Sequence, residues 1–461
     1  MDRILTGASV AQDPSNGTSE FLEWARTQKR WGELEIRRIE RSEVEERGLK
    51  EFLGYEPEQL LSVSRSMCTQ DLVMAQRAVR ALLEGWLLVS EGNSSFGRSR
   101  IEDREAVEVK PQQYEFILTS GHEFWEGPSG KKMGLGYGAN RQSYMTTYEM
   151  SFVVHHSDKD WLQDFIKRMD AWMDQHHFLR GQYITAKGEF LKIEIETRWD
   201  DVILPDRVRR TLERNCLELL RYRDLFQANK LPLKRGILLY GKPGTGKTMI
   251  GRALAQMCGV TFILATPGMM PSGEHVRQVF SWGRRLAPTI LFFEDLDLVA
   301  GSRHSIHCDS EVLGEMLSGL DGLDSSEGVI TIATTNDLEA IEPALKDRPN
   351  RFDVVLEIPP MGETERKVFL ERWIAEQSQN GFDIKSVIEQ SEDFTGAQMQ
   401  ELCRLAVMEA IEEHLRTGRN GAQRLPLRTE HFDWALARCH GSPRKTIGFV
   451  EDKSRKGRGK K

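Results

Sequence analysis

Eight residues, Gly241-Lys242-Pro243-Gly244-Thr245-Gly246-Lys247-Thr248, constrain this chain more than any other stretch. They fit the spacing G-x-x-x-x-G-K-[ST], and their context suits it. The run Gly236-Ile-Leu-Leu-Tyr240 before them reads as a short buried strand. After them, Ile250, Leu254 and Met257 recur at helical spacing. A glycine-rich turn leading into a helix N-terminus aims backbone N–H groups at one point and makes an anion cradle. Residues Gly241 to Thr248, with Met249 at the helix start, would hold the phosphates of a nucleoside triphosphate. Lys247 would reach the β- and γ-phosphates, and the Thr248 hydroxyl would hold Mg²⁺.

The bulk of the chain narrows the setting. Its 461 residues leave room for about three domains. A net charge of -7 argues against a nucleic-acid-coating surface. No run approaches the roughly 18 apolar residues of a membrane helix. The N-terminus lacks an apolar secretory stretch and is acidic early, unlike a mitochondrial transit peptide. The six cysteines show no C-x-x-C and read as reduced thiols of a cytoplasmic protein.

Organisation follows from changes in period along the chain. Residues 1–106 read as a polar start followed by a charged helical region whose best helix is Asp71 to Leu88. From 107 to 197 a small α+β domain is expected. Tyr114, Phe116 and Leu118 alternate with polar residues, as do Tyr148, Met150, Phe152 and Val154. A glycine-rich connection, Gly127 to Gly138, separates them. A helix then carries Trp161, Phe165, Met169 and Trp172 on one face, and strands follow near Tyr183 and Phe190. From 198 to 358 strands alternate with helices, at Val260–Leu264, Thr289–Glu294, Val329–Thr334 and Val354–Ile358, which predicts an α/β unit with a parallel sheet. Pro359-Pro360 ends it. Residues 359–442 read as a helical lid with Met399, Leu402, Ala406 and Ala410 on one face, and 443–461 as a basic tail that solubilises rather than binds nucleic acid.

Hydrolysis needs a carboxylate near Mg²⁺, a group that positions water, and positive charge for the transition state. The apolar strand Ile290-Leu-Phe-Phe293 ends in Glu294-Asp295, a costly place for two carboxylates without a cation. Asn336 ends the next predicted strand and is expected beside them. Arg348 and Arg351 follow directly before Phe352-Asp353.

With these pieces in this order, residues 199–442 resemble the AAA family of ring-forming ATPases. Gly241 to Thr248 is similar to its Walker A motif, Leu291 to Asp295 to Walker B, Asn336 to sensor 1, and Arg348 and Arg351 to its arginine fingers. Glu315 to Leu323 is similar to the second region of homology, and Thr395-Gly396-Ala397 to sensor 2. The resemblance implies a phosphate-loop α/β module with a helical lid, a homo-hexameric ring with ATP and Mg²⁺ at each interface, and arginines entering the neighbouring site. It implies Glu294 on the Mg²⁺ side and Asp295 as water activator. It implies a chaperone-like action on a protein client, recognised directly or through an adaptor by residues 1–197.

Three positions depart from the family pattern. The family has Asp then Glu at the Walker B strand end, and here the order is reversed. Glu-Asp resembles the mitochondrial Rieske-protein translocase branch, whose middle domain is similar to Phe116–Ile193, but that branch's membrane anchor has no counterpart in this sequence. The first pore loop, normally aromatic, reads Met269-Met270. The lead-in segment Asp200 to Pro205 lacks the usual Gly-Gly. His304 and His307 do not complete a zinc site. Two other readings therefore stand beside a protein-remodelling ATPase: an ATP-gated assembly scaffold with little hydrolysis, and a nucleic-acid motor.

Overall fold

The computed structural model describes residue 24 and residues 34–37, 52–92, 103–140, 146–191, 198–298, 310–323, 328–348, 351–377, 382–416 and 425–441. The histidines at 304 and 307 and the basic tail lie outside them.

In chain order the first strands are β1 (Leu34–Arg37) and β2 (Leu60–Met67), followed by helix α1 (Thr69–Leu82) and β3 (Leu87–Gly92). Next come β4 (Asp103–Lys110), β5 (Gln113–Glu126), β6 (Lys132–Asn140), β7 (Thr147–His155), α2 (Lys159–His176) and β8 (Tyr183–Thr185). Strands and helices then alternate: β9 (Arg235–Tyr240), α3 (Lys247–Cys258), β10 (Thr261–Ala265), α4 (Gly273–Arg285), β11 (Thr289–Phe293), α5 (Ser310–Asp321), β12 (Val329–Thr335) and β13 (Val354–Glu357). The last helices are α6 (Glu363–Gln377), α7 (Ile384–Gln390), α8 (Gly396–Arg416) and α9 (Thr429–Gly441).

These elements fall into two compact units, one of residues 1–194, 259–292 and 318–329, the other of 195–258, 293–317 and 330–461. The first unit is built on an antiparallel sheet of order β1-β2-β7-β6-β5-β3, with β4 also on β5. Helices α1 and α2 bury Leu72, Val73, Phe165 and Met169 in its core. Arg65, 1 % exposed in β2, is held by an ion pair of 2.6 Å to Asp170 of α2, so it enters the core with its charge matched.

Three expectations change here. The stretch Gly127 to Gly138 is not a plain connection, because β6 runs through it with Met133, Leu135 and Tyr137 buried. Glycines at alternate positions lower its strand propensity, and pairing with β5 and β7 on both sides overrides that. The sheet also recruits β1, β2 and β3 from the region read as helical, so the division near residue 107 does not appear in the fold. Third, β8 lies parallel to β10, Phe262 opposite Tyr183, so it joins the alternating α/β part of the chain.

In the second unit β9 is central, with β12 parallel on one side and β13 parallel on the other. Ile237, Leu238 and Leu239 are fully buried, as a strand covered on both faces requires. The lid packs Leu370, Met399, Leu402, Ala406 and Phe432 into a core of its own. Among the described residues no helix is long and apolar enough to cross a membrane.

Candidate nucleotide site

The loop after β9 turns where only glycine fits. Gly244 has φ +83, and a Cβ there would lie 2.8 Å from the Cβ of Ala397. Gly241 has φ +153, and its Cβ would come within 2.3 Å of the Ile358 carbonyl oxygen. Residues Pro243 to Met249 line a cleft of about 600 Å³ in the second unit, a size typical of small-molecule sites. Lys247 is 8 % exposed. Its Nζ donates to the carbonyls of Gly241 at 2.8 Å and Lys242 at 3.2 Å, and to Asn336 Oδ1 at 2.9 Å. Burial lowers its pKa from the ordinary lysine value, and the carboxylates of Asp295 and Asp297 act in the opposite direction.

The carboxylates stand at the end of β11, whose residues are all buried. Asp295 has φ +47, the left-handed region that a non-glycine residue seldom enters. Its N–H donates to Thr334 Oγ1 at 3.2 Å, and its Oδ1 accepts from Asn336 Nδ2 at 3.2 Å. Asn336 thereby bridges Lys247 and Asp295. Asp295, Thr334 and Asn336 all line the cleft, as does Thr248, whereas Glu294 does not. Glu294 Oε1 is buried without a hydrogen-bond partner. A carboxylate oxygen so placed is costly unless a cation or its water meets it.

The lid closes the far wall. The Ala397 N–H donates to the Gly244 carbonyl at 3.1 Å, tying the start of α8 to the loop. Thr395 and Gln398 cap that helix reciprocally, the Thr395 N–H to Gln398 Oε1 at 2.8 Å and the Gln398 N–H to Thr395 Oγ1 at 3.4 Å. Gly396, Ala397 and Gln400 reach the cleft together with Met361 and Phe369. From the lead-in segment Val202 and Ile203 also reach it. These apolar walls suit a flat base. Sequence reasoning missed Met361, Phe369 and Gln400, although the Pro359-Pro360 break lies just before Met361 and the Thr395-Gly396-Ala397 segment just before Gln400.

The two arginines part company. Arg348 is exposed. Arg351 is 5 % exposed and donates to the Ala344 carbonyl. Neither lines the cleft. In the first unit Met270 is 1 % exposed, so of the methionine pair expected to face a pore it packs inside, and Met269 is the more exposed.

Together the second unit's strand, glycine loop, helix, paired carboxylates and helical lid define a phosphate-loop nucleotide-binding module. Residues 237–360 match the family described as "ATPase family associated with various cellular activities (AAA)", and residues 381–422 match the AAA+ lid domain. Over these residues the chain is an AAA ATPase module with its lid. It is 31 % identical over 274 residues to the cell division cycle protein 48 homolog of Archaeoglobus fulgidus, covering 56 % of this chain and 37 % of that protein. It is 32 % identical over 234 residues to the 26S proteasome regulatory subunit 8 homolog of Schizosaccharomyces pombe, covering 48 % of this chain and 55 % of that protein. With the human ATPase family gene 2 protein homolog A it shares 31 % over 229 residues, 47 % of this chain and 26 % of that protein. The chain thus spans 26 % to 55 % of the length of these three relatives.

Gly244→Ala tests the cradle. An L side chain in that conformation costs about 1–2 kcal/mol, and here it also pushes on Ala397. Nucleotide affinity measured by calorimetric titration is expected to fall about tenfold.

Proposed function

We propose that this chain is a ring-forming AAA ATPase that binds ATP with Mg²⁺ and couples its hydrolysis to remodelling of a protein client. The observation that carries the reading is Asn336, which joins Lys247 to the Asp295 carboxylate at the wall of the cleft. Lys247 would bind the terminal phosphates, and Asn336 would orient Asp295 toward the attacking water. Asp295 would then take the proton of that water. Bound with the nucleotide, Mg²⁺ neutralises phosphate charge, and Thr248 and Glu294 are the residues that would hold it. The orphaned Glu294 Oε1 fits that role. The link between Asp295 and Asn336 favours hydrolysis over the scaffold reading, despite the reversed order of the carboxylates.

Ring assembly is supported by Arg348, an exposed guanidinium that lines no part of its own chain's cleft. Residues 1–197, which carry the separate antiparallel sheet, are assigned to client or adaptor recognition. We place the protein in the cytoplasm, acting on protein rather than nucleic acid.

The test is phosphate release from Mg-ATP by the purified chain and by Asp295→Asn. Removing a general base costs about 10²–10⁴ in rate, so the variant is expected to retain nucleotide and lose turnover by that factor. Equal, near-background rates in both would instead favour the scaffold.

A further inference from the structure

We infer that Thr334 is a positioning residue that sets the Asp295 backbone for catalysis. This rests on the ATPase reading above and adds a device specific to the Glu294-Asp295 order. Exchanging the two carboxylates leaves the water-activating position with a side chain shorter by one C–C bond, about 1.5 Å. A misplacement of about 1 Å can cost about 10² in rate, so the backbone has to make up the reach. Asp295 departs from ordinary strand geometry with φ +47, one of four non-glycine residues with positive φ among the described residues. Such outliers persist where the surroundings hold them, and they cluster at working sites.

What holds this one is β12. Thr334, 2 % exposed, accepts the Asp295 N–H on its hydroxyl at 3.2 Å. Two residues on, Asn336 donates to the Asp295 carboxylate at 3.2 Å. One strand end therefore grips the same residue twice, Thr334 by the backbone and Asn336 by the side chain. Thr334 is the next-to-last residue of β12 and Asn336 follows directly after its last residue, so both grips come from one end of the strand. Lys247 closes the array through Asn336. Without the Thr334 hydroxyl the Asp295 N–H loses this acceptor, and the left-handed turn loses its pin.

The experiment compares Thr334→Val and Thr334→Ser in the full chain, with steady-state phosphate release, nucleotide affinity and melting temperature read in parallel. Val keeps the branched shape and strand preference but has no acceptor. We expect Thr334→Val to lower kcat about tenfold or more, with KM and affinity within about twofold, and Thr334→Ser to restore most of kcat. If Thr334→Val does not fold, Thr334→Ala against Thr334→Ser makes the same comparison. Wild-type kcat in the variant lacking the hydroxyl overturns the inference. So does an equal loss in Thr334→Ser, or a loss of affinity that matches the loss of kcat. A wild-type chain that releases no phosphate sinks the ATPase reading itself, a separate outcome.

Discussion

Arg348→Ala is expected to lower phosphate release by about 10³-fold or more while leaving nucleotide affinity near its wild-type value. A trans arginine acts on charge that develops in the transition state, and its removal costs about 10³–10⁵ in rate. The side chain is exposed and lines no part of its own cleft, so under the ring assembly proposed above its effect would come from a neighbouring copy. Mixing supplies the decisive measurement. Arg348→Ala subunits keep Asp295, and Asp295→Asn subunits keep Arg348, so a mixture forms some interfaces with both groups intact. Activity is expected to return on mixing two nearly inactive variants. Arg351 is expected to behave differently, because it is buried on the Ala344 carbonyl. Its truncation should lower the melting temperature first and activity only as a consequence. Full turnover by Arg348→Ala, or no recovery on mixing, would falsify the trans assignment.

The contrast between these arginines shows where sequence reading stops. Both stand in one short segment with suitable chemistry, and nothing local tells that one turns inward. The glycine loop was legible because its chemistry is local: a strand, a turn needing glycine at 241 and 244, and a helix start. The strands β10 to β13 were legible as short apolar runs between breakers. Asn336 was legible by its place at a strand end, and it does lie on Asp295. By contrast β6 was hidden, because glycines dilute its alternation and only its two neighbours make it a strand. The partner of β8 was hidden as well. A three-residue strand carries little preference of its own, and its partner lies about 80 residues downstream. Within the site, the left-handed turn at Asp295 and the grip of Thr334 depend on two strands meeting, which no single segment encodes.

Arg285→Met is expected to produce the largest loss of stability, through a contact equally invisible in the sequence. In the first unit Arg285, at the end of α4, places Nη1 2.6 Å from Oδ2 of Asp71 near the start of α1. The two residues are 6 % and 4 % exposed and 214 positions apart. His177 Nε2 lies 3.5 Å from the other Asp71 oxygen. Arg180 donates to the Arg285 carbonyl at 2.8 Å, which fixes the end of α4. Removing one partner of a buried pair strands the other charge and costs about 3–5 kcal/mol. For a unit of this size that is a shift on the order of 10 °C in melting temperature. Replacing both, as Asp71→Leu with Arg285→Met, leaves no stranded charge and should be milder than the single change. Burial by itself would raise the Asp71 pKa, yet the Arg285 guanidinium and His177 bring it from 3.8 to about 2. The folded value lies below the unfolded one, so this contribution is complete above about pH 4 and fades as pH falls through about 2. Arg285→Met should remove that acid-sensitive part, so its deficit against wild type narrows in the same window. Thermal melts at pH 7 and through the acid range check both claims, and a double variant no more stable than the single one counts against the pair. The pair ties α1, which packs on the antiparallel sheet, to α4, which begins at Gly273 just past the Met269-Met270 loop. If the antiparallel sheet has the recognition role proposed above, a truncation of the chain at residue 197 would be a poor probe of that role. Such a cut would strip β8 from β10 and leave Arg285 buried without Asp71.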